Sequence, residues 1–95
     1  MLYARIVFSG RVQGVGFRQH VSDMAMQEGV LGTVQNAPDG TVVARIEAKD
    51  AKAIDSFMSR VSARKAGFSL IRVDSAKVSE MYEKKEGDFA SFEII

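Results

Sequence analysis

Near the start of the chain the spacing of the apolar residues changes, and three glycines stand at the change. Leu2, Ala4, Ile6 and Phe8 alternate with Tyr3, Arg5, Val7 and Ser9, the pattern of a strand with one buried side. From Phe17 the apolar positions are Phe17, Val21, Met24 and Ala25, the stripe of a helix. Between them runs Gly10-Arg11-Val12-Gln13-Gly14-Val15-Gly16-Phe17-Arg18. Three glycines so close together do not fill a core. They let the backbone turn tightly and approach another group. Backbone N–H groups at a helix start, joined by a guanidinium, make a cradle for a tetrahedral oxyanion. Taken alone, the run is equally consistent with a plain strand-to-helix turn.

Further along, Gly29 stands where a left-handed residue would stop the first helix. Residues 30–36 read as a second strand and residues 41–48 as a third. Asn36-Ala37-Pro38-Asp39-Gly40 supplies the turn that makes them a hairpin. Asp50 is an N-cap for a second helix, with Ala51, Ile54, Phe57, Met58 and Val61 on one stripe. That helix fades at Arg64-Lys65 and Gly67. Residues 68–79 hold a fourth strand with an irregularity, because Val73, Ala76 and Val78 do not keep a period of two. Lys84-Lys85-Glu86-Gly87 reads as a solvated loop, and residues 89–95 as a closing strand with Phe92 and Ile94 on one side. The order β-α-β-β-α-β, followed by that strand, implies an α+β fold. It is the ferredoxin-like split β-α-β sandwich, an antiparallel sheet with two helices on one face.

The 95 residues are expected to form one domain, 1–95. The absence of cysteine removes disulfides and thiolate chemistry and fits a reducing cytoplasm. A net charge of +1 weighs against a dedicated nucleic-acid binder. The chain has no apolar run of the ~18 residues a membrane helix needs, and no signal-peptide pattern. His20 is the only histidine and is expected to sit half-exposed on the first helix. No carboxylate cluster has the spacing of a magnesium or zinc site, so no metal and no cofactor is expected. The glycine run is neither a P-loop, lacking Gly-Lys-Ser/Thr, nor a dinucleotide fingerprint, lacking the third glycine at the required step.

The segment from Phe8 to Arg18 resembles the signature loop of the acylphosphatases. Gly32-Thr33-Val34-Gln35-Asn36-Ala37-Pro38-Asp39-Gly40-Thr41-Val42 resembles that family's second block, and Phe92-Glu93-Ile94 also matches. Together the two blocks are far more specific than either alone. The resemblance implies a small, monomeric, metal-independent enzyme that hydrolyses acyl phosphates to a carboxylate and inorganic phosphate. It implies Arg18 as the arginine that holds the substrate phosphate and Asn36 as the amide that orients the attacking water. The backbone of Arg11, Val12, Gln13, Gly14, Val15, Gly16 and Phe17 would supply the remaining donors. The implied partners are the small-molecule acyl phosphate and inorganic phosphate, which is both product and inhibitor; neither nucleic acid nor membrane is implied. On local sequence Asn36 reads first as a turn-starter before Pro38, and only the second block gives it a function.

Two departures from the family pattern stand out. Thr33 replaces a common aromatic, and residues 62–68 lack a proline- and glycine-rich turn. Two other functions fit the fold class: an accessory domain that binds an acyl or carbamoyl phosphate without turnover, and an RNA-binding module. The outward residues of the first and third strands include a single aromatic, Tyr3, which weakens the RNA reading.

Overall fold

The computed structural model describes residues 1–63 and 69–95. In chain order these form β1 (Leu2–Arg11), α1 (Phe17–Glu28), β2 (Leu31–Asn36), β3 (Val42–Ala48), α2 (Ala51–Ser62), β4 (Arg72–Glu83) and β5 (Phe92–Ile94). One sheet holds the strands in the order β4-β1-β3-β2-β5. β1 pairs antiparallel with β3 and β4, and β2 pairs antiparallel with β3. This is the expected α+β plan, with one departure: β5 joins parallel to β2. The cause is direction. β4 leaves the sheet at Glu83, beside Leu2 at the start of β1. A strand that returns along the far edge then runs the same way as β1 and β2.

The alternation in β1 places Ala4, Ile6 and Phe8 inward, all fully buried. They meet Ala44 and Ile46 of β3, Phe17, Val21 and Ala25 of α1, and Ile54, Phe57 and Val61 of α2. Burying a side chain of this kind contributes about 1.5–3 kcal/mol, so the shared layer fixes both helices on one face. α2 starts at its expected cap, where the Asp50 carboxylate accepts from the Ala53 amide at 2.8 Å. α1 stops at Gly29, whose φ is +68°. The expected end of α2 at Arg64, Lys65 and Gly67, and the expected first residue of β4, lie outside the described residues.

Three expectations are corrected. His20 is buried, and its Nε2 lies 3.0 Å from the carbonyl oxygen of Val61. A carbonyl oxygen only accepts, so Nε2 carries the hydrogen and the ring ties α1 to α2. β4 runs on to Glu83, and its irregularity is a pair of register shifts, opposite Arg5/Ile6 and Ser9/Gly10. Lys84 is not a solvated loop residue. Its Nζ donates to the carboxylates of Glu47, at 2.8 Å, and Asp88.

Glu47 itself is only 3% exposed, although it projects from the outward side of β3. Its carboxylate also accepts the amides of Asp88 and Phe89, at 2.8 and 3.0 Å. Glu47 is thus the post around which the chain turns from β4 to β5. Tyr3 on the same side is buried against Tyr82, with ring centroids 4.8 Å apart, and Lys84 lies over its ring. The outward aromatic on which an RNA-binding reading would rest is therefore covered.

Candidate active site

β1, β2 and β5 run in one direction, so their C-terminal ends meet at one end of the sheet. There a cavity of about 270 Å³ is lined by Val12, Gly14, Gly16, Phe17, Arg18, Gln19, Asn36 and Ile94. No carboxylate lines it.

The loop from β1 to α1 is pinned to the core at both ends. Phe8 and Phe17 pack edge to face with centroids 5.4 Å apart, and Val12 between them is buried. Gly10 belongs to β1 rather than to the loop. A Cβ there would overlap the carbonyl oxygen of Arg72 on β4, so Gly10 serves close strand approach. Gly16 serves conformation. It is the N-cap of α1, with φ +79° and open space where a Cβ would stand.

No side chain caps α1, and its first turn carries no acidic residue. The backbone amides of residues 14–19 find no acceptor among the described residues. Unpartnered N–H groups and the positive end of the helix dipole both favour an anion at this point.

Arg18 is half-buried in the first turn of α1. Its Nη1 donates to the main-chain oxygen of Ile95 at 2.8 Å, and the Ile95 amide donates to Val34 of β2 at 2.9 Å. A guanidinium has five N–H donors, so this tether fixes the head and leaves most of the fork for an anion. Among the described residues no carboxylate side chain pairs with Arg18.

Asn36 is exposed at the end of β2, where it pairs in register with Val42. The turn after it is closed by the Ala37 amide donating to the Thr41 carbonyl at 2.9 Å. The Asp39 carboxylate accepts from the Thr41 hydroxyl at 2.6 Å and from the Thr41 amide at 3.0 Å. These two bonds, the hydroxyl's above all, hold the Asp39 carboxyl below the ordinary carboxylate range. Gln13 reaches the same turn from the loop. Its Nε2 donates to the carbonyl oxygens of Ala37 and Thr41, both at 2.8 Å.

Six of the residues singled out from sequence therefore share one wall: Val12, Gly14, Gly16, Phe17, Arg18 and Asn36. Arg11 is exposed at the end of β1, opposite Arg72, and neither it nor Gln13 nor Val15 lines the cavity. Thr33 lies within β2 between Arg45 and Glu93, away from that wall. Gln19 lines the cavity with no local sequence signal to mark it, and Ile94, marked in sequence only within the closing strand and the Phe92-Glu93-Ile94 match, lines it as well. Ile95 is 77 positions from the arginine it holds, and no periodicity or motif links the two. Among the described residues no group of three or more His, Asp or Glu could hold a metal ion. Among the described residues no helix is long and apolar enough to cross a membrane.

Residues 4–94 match the family model described as Acylphosphatase. The chain is 44% identical over 91 residues to an acylphosphatase of Anaeromyxobacter dehalogenans, covering 96% of this chain and 91% of that protein. It is 35% identical to an acylphosphatase of Lactococcus lactis, with 99% and 98% covered. The crystal structure of acylphosphatase from Bacillus subtilis is similar over 100% of this chain and 99% of that one, with a TM-score of 0.84 at 36% identity. Matched across the glycine loop, the Asn36 block and the whole strand order, the chain belongs to the acylphosphatase family.

Proposed function

We propose that this chain hydrolyses acyl phosphates without a metal ion, holding the phosphoryl group in the loop amides and the Arg18 fork while Asn36 orients the attacking water. The observation that carries this reading is the cavity itself. Loop residues whose amides lack partners among the described residues line it together with one guanidinium and a neutral amide, with no carboxylate in the wall.

An acyl phosphate is a mixed anhydride. The water oxygen bonds to phosphorus in line with the bond that breaks, and that bond's electron pair leaves on the carboxylate. A carboxylate departs without a proton, so no general acid is required. The proton lost by the water passes to an oxygen of the transferring phosphoryl group. Catalysis then consists of positioning and charge stabilisation around the equatorial oxygens.

Arg18 suits that task because its planar fork binds two oxygens and stays charged at any working pH. Asn36 can accept from the water and donate to it without repelling the dianion, as a carboxylate would. Arg18, Asn36 and the loop amides all belong to one chain, so a monomer suffices as the active unit. The absence of cysteine supports a reducing cytoplasm as its setting.

The test is the hydrolysis of benzoyl phosphate, followed by loss of anhydride absorbance with a chelator present. Turnover that survives chelation, with competitive inhibition by inorganic phosphate, is the expected result. Loss of activity on chelation overturns the metal-free step. Phosphate binding with no turnover would favour an accessory, binding-only domain.

A further inference from the structure

We infer that Gln13 is a positioning residue for this reaction: its side-chain amide sets the placement of Asn36 relative to the phosphate loop and does not touch substrate. The inference rests on the roles proposed for the loop and for Asn36. The two halves of the site come from strands that are not neighbours. β3 lies between β1 and β2, so about two strand spacings, roughly 10 Å, separate their ends. Backbone pairing fixes each half only up to its strand end. Beyond that, the loop after β1 and the turn after Asn36 need a link of their own.

Gln13 is that link. Both hydrogens of its Nε2 are engaged, one on Ala37 and one on Thr41, in short, half-buried bonds. Each of these carbonyls also accepts from within the turn, Ala37 from the Gly40 amide and Thr41 from the Ala37 amide. Gln13 therefore takes up their second lone pairs and makes the turn rigid against the loop. The residues it joins are sequence neighbours of two that line the cavity. Gln13 precedes Gly14, and Ala37 follows Asn36. With both of its Nε2 hydrogens occupied and no place in the cavity wall, the Gln13 side chain has no donor left for a phosphate oxygen.

A purely structural role would lower thermal stability without singling out the step that Asn36 serves. A positioning role acts on kcat through Asn36. The test is a cycle of Gln13→Met, Asn36→Ala and the double variant, each shown folded by circular dichroism and assayed with benzoyl phosphate. Gln13→Met keeps the length of the side chain but cannot donate. It is expected to lower kcat about tenfold to a hundredfold. KM and the inhibition constant of inorganic phosphate are expected to stay within about twofold.

In the Asn36→Ala background the same change is expected to have no further effect on kcat. A rate loss that persists in full in that background overturns the inference, as does a folded Gln13→Met with normal kcat. Should Gln13→Met not fold, the shorter amide of Gln13→Asn, which cannot span both carbonyls, takes its place under the same criteria. An Asn36→Ala variant with undiminished kcat overturns the role given to Asn36 and this inference with it. A normal loss from Asn36→Ala beside an additive Gln13 effect overturns only the latter.

Discussion

Arg18 on α1 and Ile95 after β5 are joined by a hydrogen bond of 2.8 Å, from Nη1 to the main-chain oxygen. The segment that carries Ile95 is held in turn by β2 and, at its far end, by the Glu47 carboxylate. The orientation of one guanidinium in the cavity thus depends on how the last strand is seated. Arg18→Ala is expected to lose both binding and rate. Two charge-assisted hydrogen bonds at about 1.5–3 kcal/mol each correspond to a fall in kcat/KM of roughly a hundredfold to ten-thousandfold.

Asn36 carries no charge and is assigned to the water rather than to the phosphate. Asn36→Ala is accordingly expected to lower kcat about a hundredfold while the inhibition constant of inorganic phosphate changes by less than about twofold. Steady-state kinetics with phosphate as competitor separates the two quantities. Equal losses of phosphate affinity in the Arg18 and Asn36 variants would refute the division of labour.

Gly10 and Gly16 should answer differently to alanine. At Gly16 a Cβ meets open space, and only the positive φ opposes it. Gly16→Ala is expected to cost about 1–2 kcal/mol of stability, and it also re-aims the amides at the start of α1, so activity falls with it. At Gly10 the added Cβ would collide with the backbone of Arg72. Gly10→Ala is expected to lower Tm further than Gly16→Ala, by separating β1 from β4. Thermal melts of the two variants, beside their kcat values, check this ordering.

Glu47 makes stability depend on acid. Burial alone would raise its pKa, but the Lys84 ammonium and the Asp88 and Phe89 amides outweigh that and hold it below the ordinary value. A carboxyl with a depressed folded pKa stabilises the fold above its unfolded pKa, about 4.3 for glutamate. That contribution is lost as pH falls through the lower folded value. Tm is therefore expected to be flat from neutral pH down to the carboxylate range and to drop below it. Glu47→Gln should flatten that acid limb and lower Tm at neutral pH by about 5 °C. An acid limb unchanged in Glu47→Gln would place its origin elsewhere.

The element order was legible in the sequence because it rests on local periodicity. Alternation marked β1, the stripes marked α1 and α2, and Asp50 and Gly29 marked helix ends that the backbone adopts. The misread residues are those whose partners lie far along the chain. His20 is buried by a carbonyl on α2, and Lys84 is drawn in by Glu47, 37 positions away. A polar side chain looks solvated in sequence whenever its partner is not a neighbour.

For the site, local sequence is enough to mark which residues could serve: a glycine loop able to leave amides unpartnered, an arginine at a helix start, and an asparagine ending a strand. Those are properties of residue type and local backbone. Their meeting in one cavity is a long-range outcome. That follows from three strands running the same way, with β3 between two of them and β5 seated by Glu47 at the edge. Local periodicity fixes what each segment becomes. The distance between segments is set by long-range pairing and by single side chains such as Gln13, which no local pattern records.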